Sequence, residues 1–366
     1  MLKKYFSRNC GIIKKAHNAG FETPEFEEEM KVFRKKIAGR FFDPLYVCGQ
    51  QMPMLQQFCI NLTKNVKTET ITDEESIFIK RCAYGPIMHR ELGAVIENMT
   101  QYDMNSSYGA LLKSEKFYVP LQVGTICKLT EINNKQIGIY RLKIKGSPDP
   151  FCFRVSGDYK FTGFYTHYDI KMLEKLKVPF ELDQEEENNA CVWDKSQCAK
   201  GSDLFGEFLD QVYEAKLTST GHTKEICKFL ISTLYGQLIQ IDEKEIPLDK
   251  LEKYNIDDVK SINIENETFL LKKSSFIYDL GRIKAFVYSL SRLTMGQIVL
   301  KLKKKGFKVV KVNTDCIVTD APEENFNKIA PISDRMGDFK VEKKYNGKYI
   351  INTLHDIQPI AVAGVK

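Results

Sequence analysis

The sequence predicts an α+β fold in which an antiparallel sheet is joined to helices, a helical excursion and a β-rich insertion. Three observations lead there. Two short β-type runs far apart in the chain each end on an aspartate: Ala94, Val95 and Ile96, with Met99 and Tyr102, lead to Asp103, and FKVVKV at 307–312 leads to Asp315. Between them, Pro120 to Phe180 is rich in Val, Ile, Thr, Tyr and Phe with Gly and Pro punctuation. Two strongly periodic helical runs then fill Asp203 to Gly236. With 43% hydrophobic and 28% charged residues over 366 positions, disordered, collagen-like and coiled-coil classes are excluded, and two or three structural units are expected.

The elements follow in chain order. The first twenty residues carry five basic side chains and no acid precedes Glu22, the pattern of a solvated basic helix or an organellar presequence. Glu25 to Lys80 reads as mainly helical, with Glu27, Glu28 and Glu29 near Lys31, Arg34, Lys35 and Lys36. Gly93 to Tyr102 is a strand ending in YDMNSSYG, whose polar residues start a helix. The Pro120–Phe180 excursion closes with a short helix at Tyr168–Leu176, and Glu181 to Gly201 reads as a polar loop. FGEFLDQVYEAKL and KEICKFLISTLYG form two helices broken by the Thr218–Thr223 turn around Gly221. A further helix precedes a hairpin over Lys304–Thr319, turned at Asn313-Thr314-Asp315.

Several functions are excluded at this level. Ten cysteines without a C-x-x-C pair, beside five histidines, encode neither a zinc ribbon nor a disulfide framework. The longest apolar stretch, near Phe276–Leu300, is interrupted by Asp279, Arg282, Lys284 and Arg292, whereas a membrane helix needs roughly 18 apolar residues. An intracellular protein away from the membrane is expected, with its compartment open. A net charge of +6 permits a polyanionic partner without requiring one.

Asp103 and Asp315 are the candidates for chemistry. Two-metal phosphoryl transfer needs carboxylates from separate backbone segments, each held rigidly, with cations to balance phosphate charge. A single Asp at a strand end is ordinarily a turn-former; two of them on separate β segments make a candidate pair. Lys224, Lys228 and Tyr235, at offsets 0, 4 and 11 of one helix, share a face, while Ile226, Leu230, Thr233 and Leu234 share another. The alternative is an ordinary amphipathic helix on a basic α+β binding protein.

These residues resemble the family B DNA polymerases. YDMNSSYG is similar to motif A, KFLISTLYG to motif B and VNTDCIVTD to motif C, in the family's order. PLQVG at 120–124, FTGFYTHYDI at 161–170 and FGEFLDQVYEAK at 205–216 resemble the protein-primed branch found in bacteriophages, linear plasmids and mobile elements. The resemblance covers residues 81–366. It implies an antiparallel palm sheet with helices, helical fingers and a β-rich insertion. Its boundaries would be an N-terminal helical segment at 1–80, palm with motif A at 81–120, a priming-protein-contacting insertion at 121–202 and fingers at 203–240. A small insertion at 241–280, palm with motif C at 281–340, and a primer-contact strand with a shortened thumb at 341–366 would follow.

The resemblance also implies roles. Asp103, Asp315 and the Met104 carbonyl would hold two Mg²⁺ ions, or Mn²⁺, for addition of dNMP to a DNA or protein primer. Lys216, Lys224 and Lys228 would meet the incoming triphosphate, Tyr108 would exclude a ribose 2′-OH, and Tyr235 would lie near the nascent base pair. DNA would be contacted by Tyr84 and Gly85, by Gly236, and by Lys344 with Tyr345 or Lys348 with Tyr349, two registers of KVEKKYNGKYI. The partners implied are a DNA primer-template, dNTPs and a terminal priming protein. Four positions depart from the pattern: Asn313 stands for the first Asp of motif C, Ser232-Thr233 for Asn-Ser, Gly109 for Pro and Ser107 for Leu. No set of acids suited to a proofreading exonuclease precedes residue 81, and the thumb is expected to be short. A catalytically impaired nucleic-acid-binding remnant is the alternative reading.

Overall fold

The two strand-forming runs that lead to aspartates lie in one sheet, joined through the returning strand of the second run's hairpin. The structure, a computed structural model, describes residues 62, 65–133, 136–154, 162–239, 245–253, 259–271, 276–353 and 355–360. The basic helix or presequence over 1–20 and most of the helical expectation for Glu25–Lys80 lie outside the described residues, as does the end of the chain from 361.

The described chain begins with helix α1 (Asp73–Cys82), β1 (Met88–Arg90), β2 (Val95–Met104) and α2 (Ser107–Leu112). The insertion follows as β3 (Tyr118–Pro120), β4 (Thr125–Cys127), β5 (Ile137–Ile144), β6 (Thr162–Thr166), α3 (His167–Leu176), β7 (Phe180–Leu182), β8 (Ala190–Trp193) and β9 (Cys198–Lys200). Helices α4 (Gly201–Thr218) and α5 (Gly221–Leu238) lead to β10 (Glu245–Pro247), β11 (Val259–Asn263) and β12 (Thr268–Leu271). The remainder is α6 (Ile283–Lys304), β13 (Val309–Asn313), β14 (Cys316–Thr319), α7 (Glu323–Asn327), β15 (Phe339–Ile351) and β16 (Ile357–Pro359).

The central sheet has six strands in the order β1-β13-β14-β2-β15-β16, antiparallel throughout. One face packs on helices. Helix α6 is buried on nearly every side, which is why its sequence lacks a polar stripe; it lies against α1, α2, α3 and β13. From interior strand β2, Tyr102 stacks on Phe326 at 3.8 Å and donates its hydroxyl to the Ala321 carbonyl at 2.9 Å, which ties β2 to α7.

The insertion builds its own sheet, β4-β8-β5-β6 with β7 beside β5. Here the loop expected over Glu181–Gly201 is corrected: it contains β7, β8 and β9. The run Ala190-Cys191-Val192-Trp193 is wholly buried, and Trp193 donates its indole N–H to the Gln122 carbonyl at 3.0 Å. Four apolar residues among polar ones make a strand here because β4 and β5 flank it in the sheet and Trp193 packs edge-on against Phe286 of α6 at 5.6 Å. Strand β2 also runs further than expected, so Asp103 sits inside it and not beyond its end.

Local signals fix the helix ends. Thr72 caps α1 through Oγ1, which accepts from the Glu75 N–H, and acids fill its first turn with Lys80 and Arg81 in its last. Thr166 and Asp169 form a capping box on α3. Helix α4 starts at Gly201, where a Cβ would lie 2.0 Å from the Leu112 carbonyl oxygen, so only glycine lets α4 cross the end of α2 this closely. Helices α4 and α5 then pack together and against α2, which carries the motif-A residues.

Candidate active site

Register across the central sheet brings the two aspartates together. Asp103 on β2 is paired with Cys316, the residue after Asp315, and the Met104 N–H donates to the Asp315 carbonyl at 3.0 Å. Directly opposed residues of antiparallel strands share a face. One row therefore crosses the sheet as Met88, Asn313, Cys316, Asp103 and Lys340. Asn313, which stands where the resembled motif has an acid, occupies this row. Thr314 and Ser106, in the turns beside the two aspartates, both adopt positive φ, at 59° and 50°. Left-handed backbone at a non-glycine residue costs about 1 kcal/mol or more and places such side chains at sharp angles to the strands.

Each carboxylate has a neighbour. Ser107 Oγ donates to Asp315 Oδ2 at 2.7 Å, and Lys340 Nζ donates to Asp103 Oδ2 at 2.6 Å. Burial raises the Asp315 pKa above the usual carboxylate value, Asp103 raises it further, and the Ser107 bond opposes both. Burial likewise pushes the neighbouring Cys316 thiol up to about 12, so it stays protonated. The carboxylates and the serine hydroxyls of 106 and 107 are oxygen donors of the kind hard divalent cations prefer. Among the described residues no three His, Cys, Asp or Glu side chains form a metal cage, so a cation held here by Asp103 and Asp315 would keep positions for other oxygens.

The lysines converge from the helices. Lys216 on α4 donates to Ser106 Oγ at 3.1 Å and lies 4.7 Å from the Tyr213 ring centroid. Burial lowers its pKa, and Lys340, Lys228 and Lys224 lower it further, which places four ammonium groups within electrostatic reach of one another. Lys224 and Lys228 are exposed; Lys228 pairs with Glu225 at 2.6 Å. Crowded cations of this kind raise the local positive potential.

Tyr235 lies on the same helical face as Lys224 and Lys228, but unlike those exposed lysines it is covered by neighbouring elements. It is buried, stacks on Tyr108 at 5.3 Å with a 14° interplanar angle, and donates its hydroxyl to the Lys284 carbonyl at 2.9 Å. Tyr288 meets both rings edge-on. Burial raises the pKa of Tyr108 and Tyr235, so both remain neutral. Gly109 explains itself here: a Cβ would sit 2.8 Å from Ile231 Cγ2, so glycine lets α2 lie against α5. Gly236 is exposed, with open space where a Cβ would be.

No family profile matches the chain. A protein named "Probable DNA polymerase" from Podospora anserina is 23% identical over 328 residues, spanning 75% of this chain and 25% of that protein. A Phi29 DNA polymerase complexed with primer-template DNA and incoming nucleotide substrates superposes with a TM-score of 0.61 at 14% identity, covering 92% of this chain and 60% of that one. A Phi29 DNA polymerase complexed with single-stranded DNA gives 0.57 at 16% identity over 81% and 52%. The fold is that of the family B DNA polymerases. The chain thus spans between a quarter and three fifths of these relatives' lengths.

Within this polymerase fold the remaining expected residues separate. Tyr84 and Gly85 form a loop whose two carbonyls accept from Arg292 Nη1 at 2.6 and 2.9 Å. Arg292 is buried and forks onto Asp169 at 2.9 Å through both Nε and Nη2. On β15, Lys344 turns to Glu323 at 2.5 Å, while Tyr345 is buried and donates its hydroxyl to Gln101 Oε1 at 2.8 Å. Lys348 is exposed and Tyr349 meets Tyr345 edge-on at 5.1 Å. A cleft of about 660 Å³ joins Asp103, Asp315 and Tyr108 to Lys311, Lys343 and Tyr345. Sequence reasoning missed Lys340, Lys343, Ser107 and the Arg292–Asp169 pair. The one available signal was the lysine-rich run of β15, with Glu342 as its single acid.

Proposed function

We propose that this chain is a DNA-directed DNA polymerase of the protein-primed family B type, adding dNMP to a DNA or protein primer in replication of a virus, plasmid or mobile element. The observation that carries the reading is the meeting of Asp103 and Asp315 at the centre of the sheet, beside the lysine cluster of Lys216, Lys224, Lys228 and Lys340. The named functions of the similar proteins and the DNA and nucleotides in the Phi29 complexes support it.

Asp103 and Asp315 would hold divalent cations, Mg²⁺ or Mn²⁺, with the Met104 carbonyl as a further oxygen. Bound there, such ions supply charge stabilisation and lower the pKa of an attacking hydroxyl. Lys216, Lys224 and Lys228 bind the triphosphate as point charges and offset charge that develops on it. The Ser107 hydroxyl holds Asp315 Oδ2 and opposes the rise that burial imposes on its pKa, and Asp315 lines the cleft. The Tyr108 ring, braced by Tyr235 and Tyr288, is a rigid wall beside Asp315 and sets sugar selection by excluding a 2′-hydroxyl.

Asn313 in the carboxylate row favours a second reading, an impaired polymerase that binds nucleic acid without turnover. Extension of a labelled primer-template by the purified chain with Mg²⁺ and dNTPs at low salt, beside Asp315→Ala, separates the two. Extension by the parent alone supports the enzyme; DNA binding without extension by either supports the impaired form.

A further inference from the structure

The row that holds Asp103 is poor in negative charge. Register sets Asn313, Cys316, Asp103 and Lys340 side by side on one face of the sheet. Asn313 is neutral and the buried Cys316 thiol stays protonated, so Asp103 is the anion of the row and its neighbour on β15 is an ammonium. The ladder fixes that neighbour. Phe339 pairs with Met104, Lys340 with Asp103 and Val341 with Tyr102 in unbroken register, and the bulge comes only after Val341. Phe339 is buried edge-on against Phe326, and a slip of one residue would turn it out of the core, so β15 holds Lys340 opposite Asp103.

Lys340 Nζ donates to Asp103 Oδ2 at 2.6 Å, with 48% of the lysine side chain and 21% of the aspartate side chain exposed. An ion pair this open exchanges partners readily. The Lys340 charge also reaches past Asp103. Burial raises the Asp315 pKa and Lys340 is among the groups that pull it back, while Lys340 heads the lysines that add to the effect of burial on Lys216. One ammonium therefore serves both carboxylates, offsetting the repulsion between them. Among the described residues no third His, Cys, Asp or Glu completes a metal cage here, so carboxylate charge is the main attraction this site offers a divalent cation. Lys340 cancels part of it.

Taking Asp103 and Asp315 as the cation-holding pair proposed above, we infer that Lys340 is a built-in rival of divalent cations for Asp103, a positioning residue that sets the metal affinity of the site. Lys340 holds Asp103 in place and supplies its counter-charge; Asp315, held by the Ser107 hydroxyl, has no ammonium bonded to it among the described residues. Asp103 gives both its oxygens to a divalent cation only after the Lys340 bond is released. Because Lys340 is half-exposed, that release needs a side-chain rotation and no movement of the sheet. The four lysines near the site thus divide: Lys216, Lys224 and Lys228 stand on helices α4 and α5, whereas Lys340 stands in the sheet against the carboxylate itself.

The test is Mn²⁺ binding without nucleotide or DNA, read from the loss of the free-ion electron paramagnetic resonance signal. The proteins compared are the parent, Lys340→Met, Lys340→Arg, and Lys340→Met combined with Asp103→Asn. Lys340→Met binds Mn²⁺ about tenfold more tightly than the parent, the effect of removing a unit charge roughly 5 Å from a divalent ion in a wet site. Its melting temperature accordingly rises further than the parent's when Mn²⁺ is added. Lys340→Arg keeps the charge and binds as weakly as the parent, and the double variant loses the gain. Lys328→Gln, which frees Glu324 from an exposed pair on α7, is the control and leaves Mn²⁺ binding unchanged. Equal affinities for the parent and Lys340→Met, or a gain that survives Asp103→Asn, overturns the inference. No Mn²⁺ binding by any of the proteins overturns it together with the metal role of the aspartates. Tightened binding in a chain that extends no primer supports the inference and sinks only the enzyme reading.

Discussion

Replacing Arg292 with methionine should destabilise the protein by about 3–5 kcal/mol. Its side chain is 2% exposed and Asp169 is 1% exposed, so methionine fills the volume but leaves a carboxylate buried without its cation. Four hydrogen bonds are lost: two to Asp169 at 2.9 Å and two to the Tyr84 and Gly85 carbonyls at 2.6 and 2.9 Å. Arg292→Lys keeps a charge but not the planar fork, and should cost about 2 kcal/mol. The double variant Arg292→Met with Asp169→Leu should cost less than Arg292→Met alone, because no unpaired charge remains, although the α3 cap is lost at about 1 kcal/mol. Urea unfolding followed by fluorescence measures all of this, since Trp193 is the one tryptophan and is fully buried. A cost below 1 kcal/mol for Arg292→Met, or a double variant that costs the sum of the singles, would refute the pairing.

Other outcomes follow from the same geometry. Gly201→Ala should lower stability by about 3 kcal/mol or prevent folding, read by the same urea titration, because its Cβ would meet the Leu112 carbonyl. His167 is held down to about 3 by burial, against 6.5 when unfolded, so the unfolded chain takes the proton first. Its contribution is complete above about pH 6.5 and shrinks as pH falls towards 3, by up to about 1.4 kcal/mol per unit; His167→Gln should flatten the stability-pH curve in that window. Lys216→Gln should raise the KM for dNTP roughly 10- to 100-fold, the range for one charged hydrogen bond, with primer-template affinity measured alongside and nearly unchanged. Tyr108→Val should admit ribonucleotides, measured as the ratio of dCMP to CMP insertion; an unchanged ratio would remove Tyr108 from sugar selection.

Much of the site was legible in the sequence because its parts are local. The hairpin turn at Asp315, the acid at the end of the β2 run and helices α4 and α5 each announce themselves by periodicity and turn residues. What was illegible depends on register. Lys340 meets Asp103 across 237 positions, and Lys343 takes the cleft face because Glu342 is the extra residue of a bulge. Tyr235 escaped the helical-wheel reading because Tyr108 and Tyr288 cover it, which a single helix cannot show. The Ala190–Trp193 strand was read as loop because polar residues surround four apolar ones, and its pairing with β4 and β5 and its packing on Phe286 involve residues distant in sequence.

The central claim is that Asp103 and Asp315 together carry nucleotidyl transfer. It is met most directly by single-turnover insertion of one dNMP into a bound primer-template with Mg²⁺, comparing the parent with Asp103→Asn and Asp315→Asn at matched DNA occupancy. Insertion by the parent and a loss of at least about a thousandfold in each variant, with DNA still bound, is the expected result. Equal rates in all three proteins, or a parent that holds the primer-template without inserting, would contradict it.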